Sequence, residues 1–251
     1  MARILNNETI FYSFDSNEAY ETEEGSIARI KRDNCAYLGN KVDEFKDNDI
    51  EGLRLNRAVA LIEKSGGRLL KQTKDKGSKR RLLRLLKLVL THNNEQFLGM
   101  RSVYRGLLNA RARELLKGFD FNAGSKSADV LADTCIIDTK KSVLLLPNFS
   151  AAKLLVQYPK VSKIQVRFLL SRVDFLLGEF FTICSDICTL SSEDETLDLV
   201  LDIGKTPDLD GVLMAYLWIG FEREDEAAIS KLLWHAEDVF RLLVCEDIRQ
   251  N

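Results

Sequence analysis

The chain has 251 residues, a formal net charge of −2 and 45% apolar residues, which suits a globular protein with a sizeable core. It has no apolar run of the roughly 18 residues that a membrane-spanning helix requires, and its first residues lack the basic-then-apolar pattern of a secretory leader. Five cysteines, an odd number without framework spacing, fit a reducing, cytoplasmic setting better than a disulfide scaffold.

The small net charge conceals a segregation along the chain. Residues 1–51 carry 6 Lys/Arg against 12 Asp/Glu, residues 52–180 carry 25 against 10, and residues 181–251 carry 5 against 16. A basic middle between acidic ends points to a polyanion-binding centre. Charges decorating solvated faces are the competing explanation.

In chain order, residues 9–14 are aromatic and β-branched and predict a strand. The acidic residues 15–24 predict a loop, and 27–30 a strand able to pair with the first. Residues 53–64 have apolar positions at helical spacing and end at Gly66-Gly67. Residues 71–81 read as a basic loop leading into a buried helix over 82–90. The cations Lys71, Lys74, Lys76, Lys79, Arg80 and Arg81, with Lys141 further on, suit a clamp on a phosphate backbone. No aromatic residue interleaves the loop's charges to stack on bases, so a solvated surface loop is the alternative. Residues 96–117 predict one long helix ending at Gly118, with Arg101, Arg105, Arg111, Arg113 and Glu114 on its polar face. Phe119-Asp120-Phe121 then opens a strand-like region.

Residues 127–141 (Ser-Ala-Asp-Val-Leu-Ala-Asp-Thr-Cys-Ile-Ile-Asp-Thr-Lys-Lys) read as a hairpin turning at 132–134. Asp129 opens the first strand, while Asp138 and Lys140, two residues apart, share one face of the second. Two carboxylates and an ammonium on an apolar strand pair fit a metal ion and a phosphate. An ordinary exposed hairpin carrying an Asp–Lys pair, worth about 0–1 kcal/mol, is the structural alternative. Beyond it, Pro147 and Ser150 introduce a helix that Pro159 ends. Residues 163–170 alternate as a strand, and 174–181 fit another strand or a helix.

The spacing Asp129, eight residues, Asp138-Thr139-Lys140 resembles the PD-(D/E)XK nuclease superfamily, the restriction-endonuclease-like fold, over residues 95–182. Residue 128 is Ala where the motif is named for Pro. The resemblance implies a metal-dependent nuclease hydrolysing phosphodiester bonds of nucleic acid, with DNA the first expectation, in a setting such as defence or mobile elements. It implies that Asp129, Asp138 and the Thr139 carbonyl hold Mg2+ or Mn2+, hard cations that prefer oxygen ligands. The metal would activate water and polarise the phosphate, with Lys140 beside that water. Glu114, from the preceding helix, would complete the acid set.

The last third is acidic. Residues 191–203, 212–221 and 225–248 predict helices, the last with an apolar stripe over about four turns. The overall expectation is an α/β (α+β) fold, with a central mixed sheet flanked by helices. Residues 1–50 would pack on a nuclease-like core at 51–188. Residues 189–251 would form an acidic helical subdomain burying its stripe against the core, a second copy or a partner protein. The alternative function is a non-enzymatic interaction or nucleic-acid-binding module, including an inactive nuclease fold.

Overall fold

The computed structural model describes residues 17–22, 25–30, 47–93, 101–125, 135–158, 161–194, 196–223 and 238–248. The fold is mixed α+β, with helices and antiparallel sheets arranged in three layers. The middle layer is an eight-stranded sheet. Its strands are β1 (Asn17–Thr22), β2 (Gly25–Ile30), β3 (Phe119–Asp120), β6 (Val161–Asp174), β7 (Glu179–Cys184), β8 (Cys188–Ser191), β10 (Gly211–Arg223) and β11 (Val239–Ile248), in the order β1-β2-β7-β6-β10-β11-β3 with β8 also on β6. A second sheet, ordered β4-β5-β9, is built from β4 (Ile136–Asp138), β5 (Val143–Phe149) and β9 (Leu197–Asp202).

Five helices form the outer layer on the other side: α1 (Asp47–Ser65), α2 (Gly67–Thr73), α3 (Ser78–Thr91), α4 (Val103–Leu107) and α5 (Ala110–Glu114). A short helix, α6 (Ala151–Leu155), packs beside the small sheet.

The side-chain alternation of β10 explains this layering. Val212, Met214, Tyr216 and Trp218 join the core beneath the helices, whereas Leu213, Ala215, Leu217, Ile219 and Phe221 join the core beneath the small sheet. Residues 212–219 are all 6% exposed or less. A strand covered on both faces gains from burying every side chain, so its sequence loses the apolar–polar alternation that marks a half-exposed strand. Burying a large aliphatic or aromatic side chain is worth about 1.5–3 kcal/mol, so β10 and its partner β6 anchor both cores.

The C-terminal expectation is therefore corrected. Among the described residues, 197–202, 211–223 and 239–248 are strands, not helices, and the central sheet runs on past residue 189. The described part of the expected apolar stripe lies inside: Val239, Phe240 and Leu243 are buried in the two cores. The acidic residues expected to form a loop include β1, which pairs with β2 from Asn17↔Ile30 to Thr22↔Gly25. The strand expected at 9–14 lies outside the described residues. Residues 175–178 turn between β6 and β7, so the strand expected across 174–181 is broken there.

The helical half follows its sequence more closely. α1 covers the expected 53–64, and Gly67 takes up φ +66 just beyond it, a conformation that glycine adopts without cost. In α3, Leu82, Leu86, Val89 and Leu90 are buried, the i, i+4, i+7, i+8 face of an amphipathic helix. The single helix expected over 96–117 is two short ones among its described residues. Asn109 separates them: its Oδ1 accepts from Arg111 N at 2.9 Å and starts α5 as an N-cap.

Candidate functional site

The acidic hairpin is built differently from the expectation. β4 pairs with β5 as Ile136↔Leu145, Ile137↔Leu144 and Asp138↔Val143, and the chain reverses through 139–142. Ser142 has φ +58, the left-handed conformation such tight reversals demand. Lys140 is therefore in the turn and not on a strand beside Asp138. Asp138 Oδ1 accepts from the N–H groups of Lys140 at 3.1 Å and Lys141 at 3.0 Å, an arrangement by which Asp initiates turns. Its Oδ2 lies 3.8 Å from Lys141 Nζ. Thr139 donates its hydroxyl to Glu246 Oε2 at 3.0 Å.

Asp129 and the turn expected at 132–134 lie outside the described residues. Glu114 is 71% exposed, and its carboxylate stands 4.0 Å from Lys117 Nζ. Among the described residues, no group of three His, Cys, Asp or Glu side chains could hold a metal ion. Asp138 has one oxygen engaged by two backbone donors and the other facing an ammonium. This is the environment of a turn-capping carboxylate.

The basic residues are divided by the fold. Lys71, Lys76, Lys79 and Arg80 are exposed. Lys74 is paired with Glu63 at 2.9 Å. Lys141 is 80% exposed but belongs to the turn of the small sheet. Arg81 has a structural task. Asp75 accepts from its Nη1 at 2.9 Å and its Nη2 at 2.8 Å, and that Nη2 also donates to the Asp120 carbonyl at 3.0 Å. The same carboxylate takes the N–H of Gly77 at 2.6 Å and of Ala123 at 2.9 Å. Burial works against the charge of Asp75, but these hydrogen bonds and the Arg81 guanidinium outweigh it and hold the carboxyl below its usual range. The supposed basic loop is thus only four residues long, 74–77, and is tied to the chain after β3.

The sequence reading missed Arg84 and Lys87. Both are exposed on α3, and with Arg80 they sit at i, i+4 and i+7, on one outward face. The same periodicity that identified the buried leucines of α3 also marks these cations on the opposite face. Residues 47–93 and 101–125, which hold the helical layer, contain 17 Lys/Arg against 7 Asp/Glu. The described residues from 135 onward contain 9 against 14. The basic excess of the sequence therefore belongs to the stretch that holds the helical layer. No protein-family model, curated protein or solved structure matches this chain.

Proposed function

We propose that the protein is a nucleic-acid-binding module that engages a phosphate backbone through the outer surface of its helical layer. The observation that carries this reading is the row Arg80, Arg84 and Lys87 on α3, with Lys79 at its start, on the layer that concentrates the basic residues. At 1.5 Å rise per residue the row covers about 10 Å of helix, long enough to meet successive phosphates of one strand. Such contacts supply affinity without reading bases. Asp138 Oδ1 serves its own turn, and metal-dependent cleavage is not part of this reading.

The test is fluorescence anisotropy with labelled duplex and single-stranded oligonucleotides over a salt series. Four phosphate contacts correspond to a log–log salt slope of roughly −3.6 on duplex DNA, and about a 100-fold loss of affinity from 50 to 200 mM salt. The triple variant Arg80→Gln, Arg84→Gln, Lys87→Gln is expected to flatten the slope by about 2.7. Absence of binding at low salt, or an unchanged slope in the variant, overturns the proposal. Mg2+-dependent cleavage that vanishes in Asp138→Ala would install the hydrolase in its place.

A further inference from the structure

A groove of about 480 Å3 runs beside the cationic row, between α3 and residues 115–123, within the size range of small-molecule sites. Its helix wall is made of Arg81, Arg84, Leu85 and Leu88, the i, i+3, i+4 and i+7 positions of one stripe. Leu115, Lys117 and Phe119 belong to the opposite wall. Leu85 and Leu115 pack on the core beneath, whereas Leu88 is 50% exposed, so the floor is apolar and open to solvent.

Positive charge stands on both walls. Arg84 is exposed and belongs to the α3 row as well as to the groove. Lys117, across from the helix, lies 4.0 Å from Glu114, and both side chains are more than half exposed. A surface pair of that kind contributes little, so a phosphate can take the place of the carboxylate. The one carboxylate in the lining, Asp120, is turned to Arg241, whose Nε and Nη2 each donate to it at 2.6 Å. Arg81 is held at its edges by Asp75 and the Asp120 carbonyl, with its guanidinium carbon 5.9 Å from the centroid of the Phe119 ring. A guanidinium fixed by its edges keeps the planar surface on which bases stack.

We propose that this groove receives an unpaired base, with its flanking phosphates on Arg84 and Lys117, and that the nucleic acid held by the α3 row is therefore single-stranded. The inference rests on the reading of the α3 row and narrows it. In a duplex the face of each base is stacked out of reach. In a single strand the base can turn into an apolar site while the backbone stays on the cations. The groove and the row share Arg84, so one strand can meet both. A leucine floor takes the face of any base, so binding is expected to tolerate sequence. Leu85 and Leu88 span about 4.5 Å along α3. That suits a single flat ring and is shorter than the i to i+7 row of anchors that an amphipathic peptide helix lays into a groove.

Fluorescence anisotropy of the full chain with three labelled probes of equal length tests it: an oligothymidine strand, an abasic strand with the same backbone, and a duplex. The oligothymidine is expected to bind at least ~10-fold more tightly than either of the others. Leu88→Gln, at a half-exposed position chosen to leave the thermal melt unchanged, is expected to weaken the oligothymidine ~10-fold and to leave the abasic strand and the duplex as they were. Lys117→Gln is expected to reduce the log–log salt slope on the oligothymidine by about 0.7. Equal binding of the abasic strand, a duplex bound as tightly as the single strand, or an unmoved oligothymidine affinity in Leu88→Gln overturns the groove, while a salt slope that flattens in the α3 triple variant still upholds the row. No binding of any probe at low salt overturns row and groove together. Binding of a synthetic acidic amphipathic peptide that is lost in Leu88→Gln, with the oligothymidine affinity unmoved, assigns the groove to a protein segment and overturns the proposal.

Discussion

Asp75→Asn is the sharpest perturbation available in the helical layer. The Asp75 carboxylate receives four N–H groups, two from Arg81 and one each from Gly77 and Ala123, and so joins the α2–α3 connection to the chain beyond β3. Asparagine keeps one acceptor oxygen and turns the other position into a donor, which then faces a donor. Hydrogen bonds to a charged group are worth about 1.5–3 kcal/mol each and do not add fully, so a loss of roughly 2–4 kcal/mol at pH 7 is expected. For a chain of this size that corresponds to a fall in Tm of about 4–16 °C. The sign of the pH dependence follows from the depressed carboxyl. Its stabilisation is fully present above the ordinary value of 3.8 and fades as pH falls through the lower folded value. Urea unfolding of both proteins, followed by tryptophan fluorescence, measures the gap. Trp218 is a suitable reporter because its indole N–H donates to Thr73 Oγ1 at the end of α2. A gap under about 0.5 kcal/mol at pH 7 would refute the argument, since that is the range of an indifferent surface change. So would a gap that does not narrow at all as pH falls below the ordinary value of 3.8, since the stabilisation from a depressed carboxyl is lost from there downwards.

Three further outcomes follow from the packing. Tyr216 is fully buried, with its hydroxyl 2.9 Å from Ser65 Oγ and 3.2 Å from Met214 Sδ. Because Ser65 also donates to the Ile62 carbonyl, Tyr216→Phe is expected to cost only about 0.5–1.5 kcal/mol. A double-mutant cycle with Ser65→Ala should return a coupling of that order. Gly106→Ala would place a Cβ 2.4 Å from the Val89 carbonyl where α4 crosses α3, so a loss of about 1–3 kcal/mol is expected in the same unfolding assay. Asp138→Ala removes two turn hydrogen bonds and is expected to lower stability by about 0.5–2 kcal/mol while leaving oligonucleotide affinity within about twofold of wild type.

What could be read from the sequence depended on whether an element keeps a solvent face. α3 was legible because Leu82, Leu86, Val89 and Leu90 are buried while Arg80, Arg84 and Lys87 are exposed, and that contrast is the periodic signal. β10 was not, because each of its side chains from Val212 to Ile219 enters one of two cores; an apolar run of that length fits a buried helix equally well. β11 adds a second obstacle. Its pairing with β10 shifts at Ala215/Tyr216, and a bulge of this kind breaks the two-residue period. Asp138 and Lys140 were expected on one strand; Asp138 ends the strand Ile136–Asp138, and Lys140 falls in the turn after it. Asp-Thr-Lys-Lys-Ser is itself a turn sequence, with Asp supplying the acceptor for the backbone ahead of it. The Arg81 error has a similar origin: a cation in a basic run looks like surface charge until its partner, Asp75, is seen six residues earlier with both oxygens turned towards it.

The layering also gives the charge segregation a mechanical meaning. The helices come from one continuous stretch of chain and cover one face of the central sheet, while the small sheet covers the other. Packed layers stand about 10 Å apart, so the basic residues of the helical layer are held on one side of the central sheet, away from the small sheet, whose stretches 135–158 and 196–210 carry 4 Lys/Arg against 5 Asp/Glu. A polyanion approaching such a molecule is drawn to the helical side, which orients the encounter before any contact forms. The α3 row belongs to the helical side, so the proposed contact with phosphate lies where the excess of basic residues already favours one. Reversing exposed charges of the helical layer outside that row, such as Lys71, should then alter the rate of association and leave the lifetime of the complex nearly unchanged.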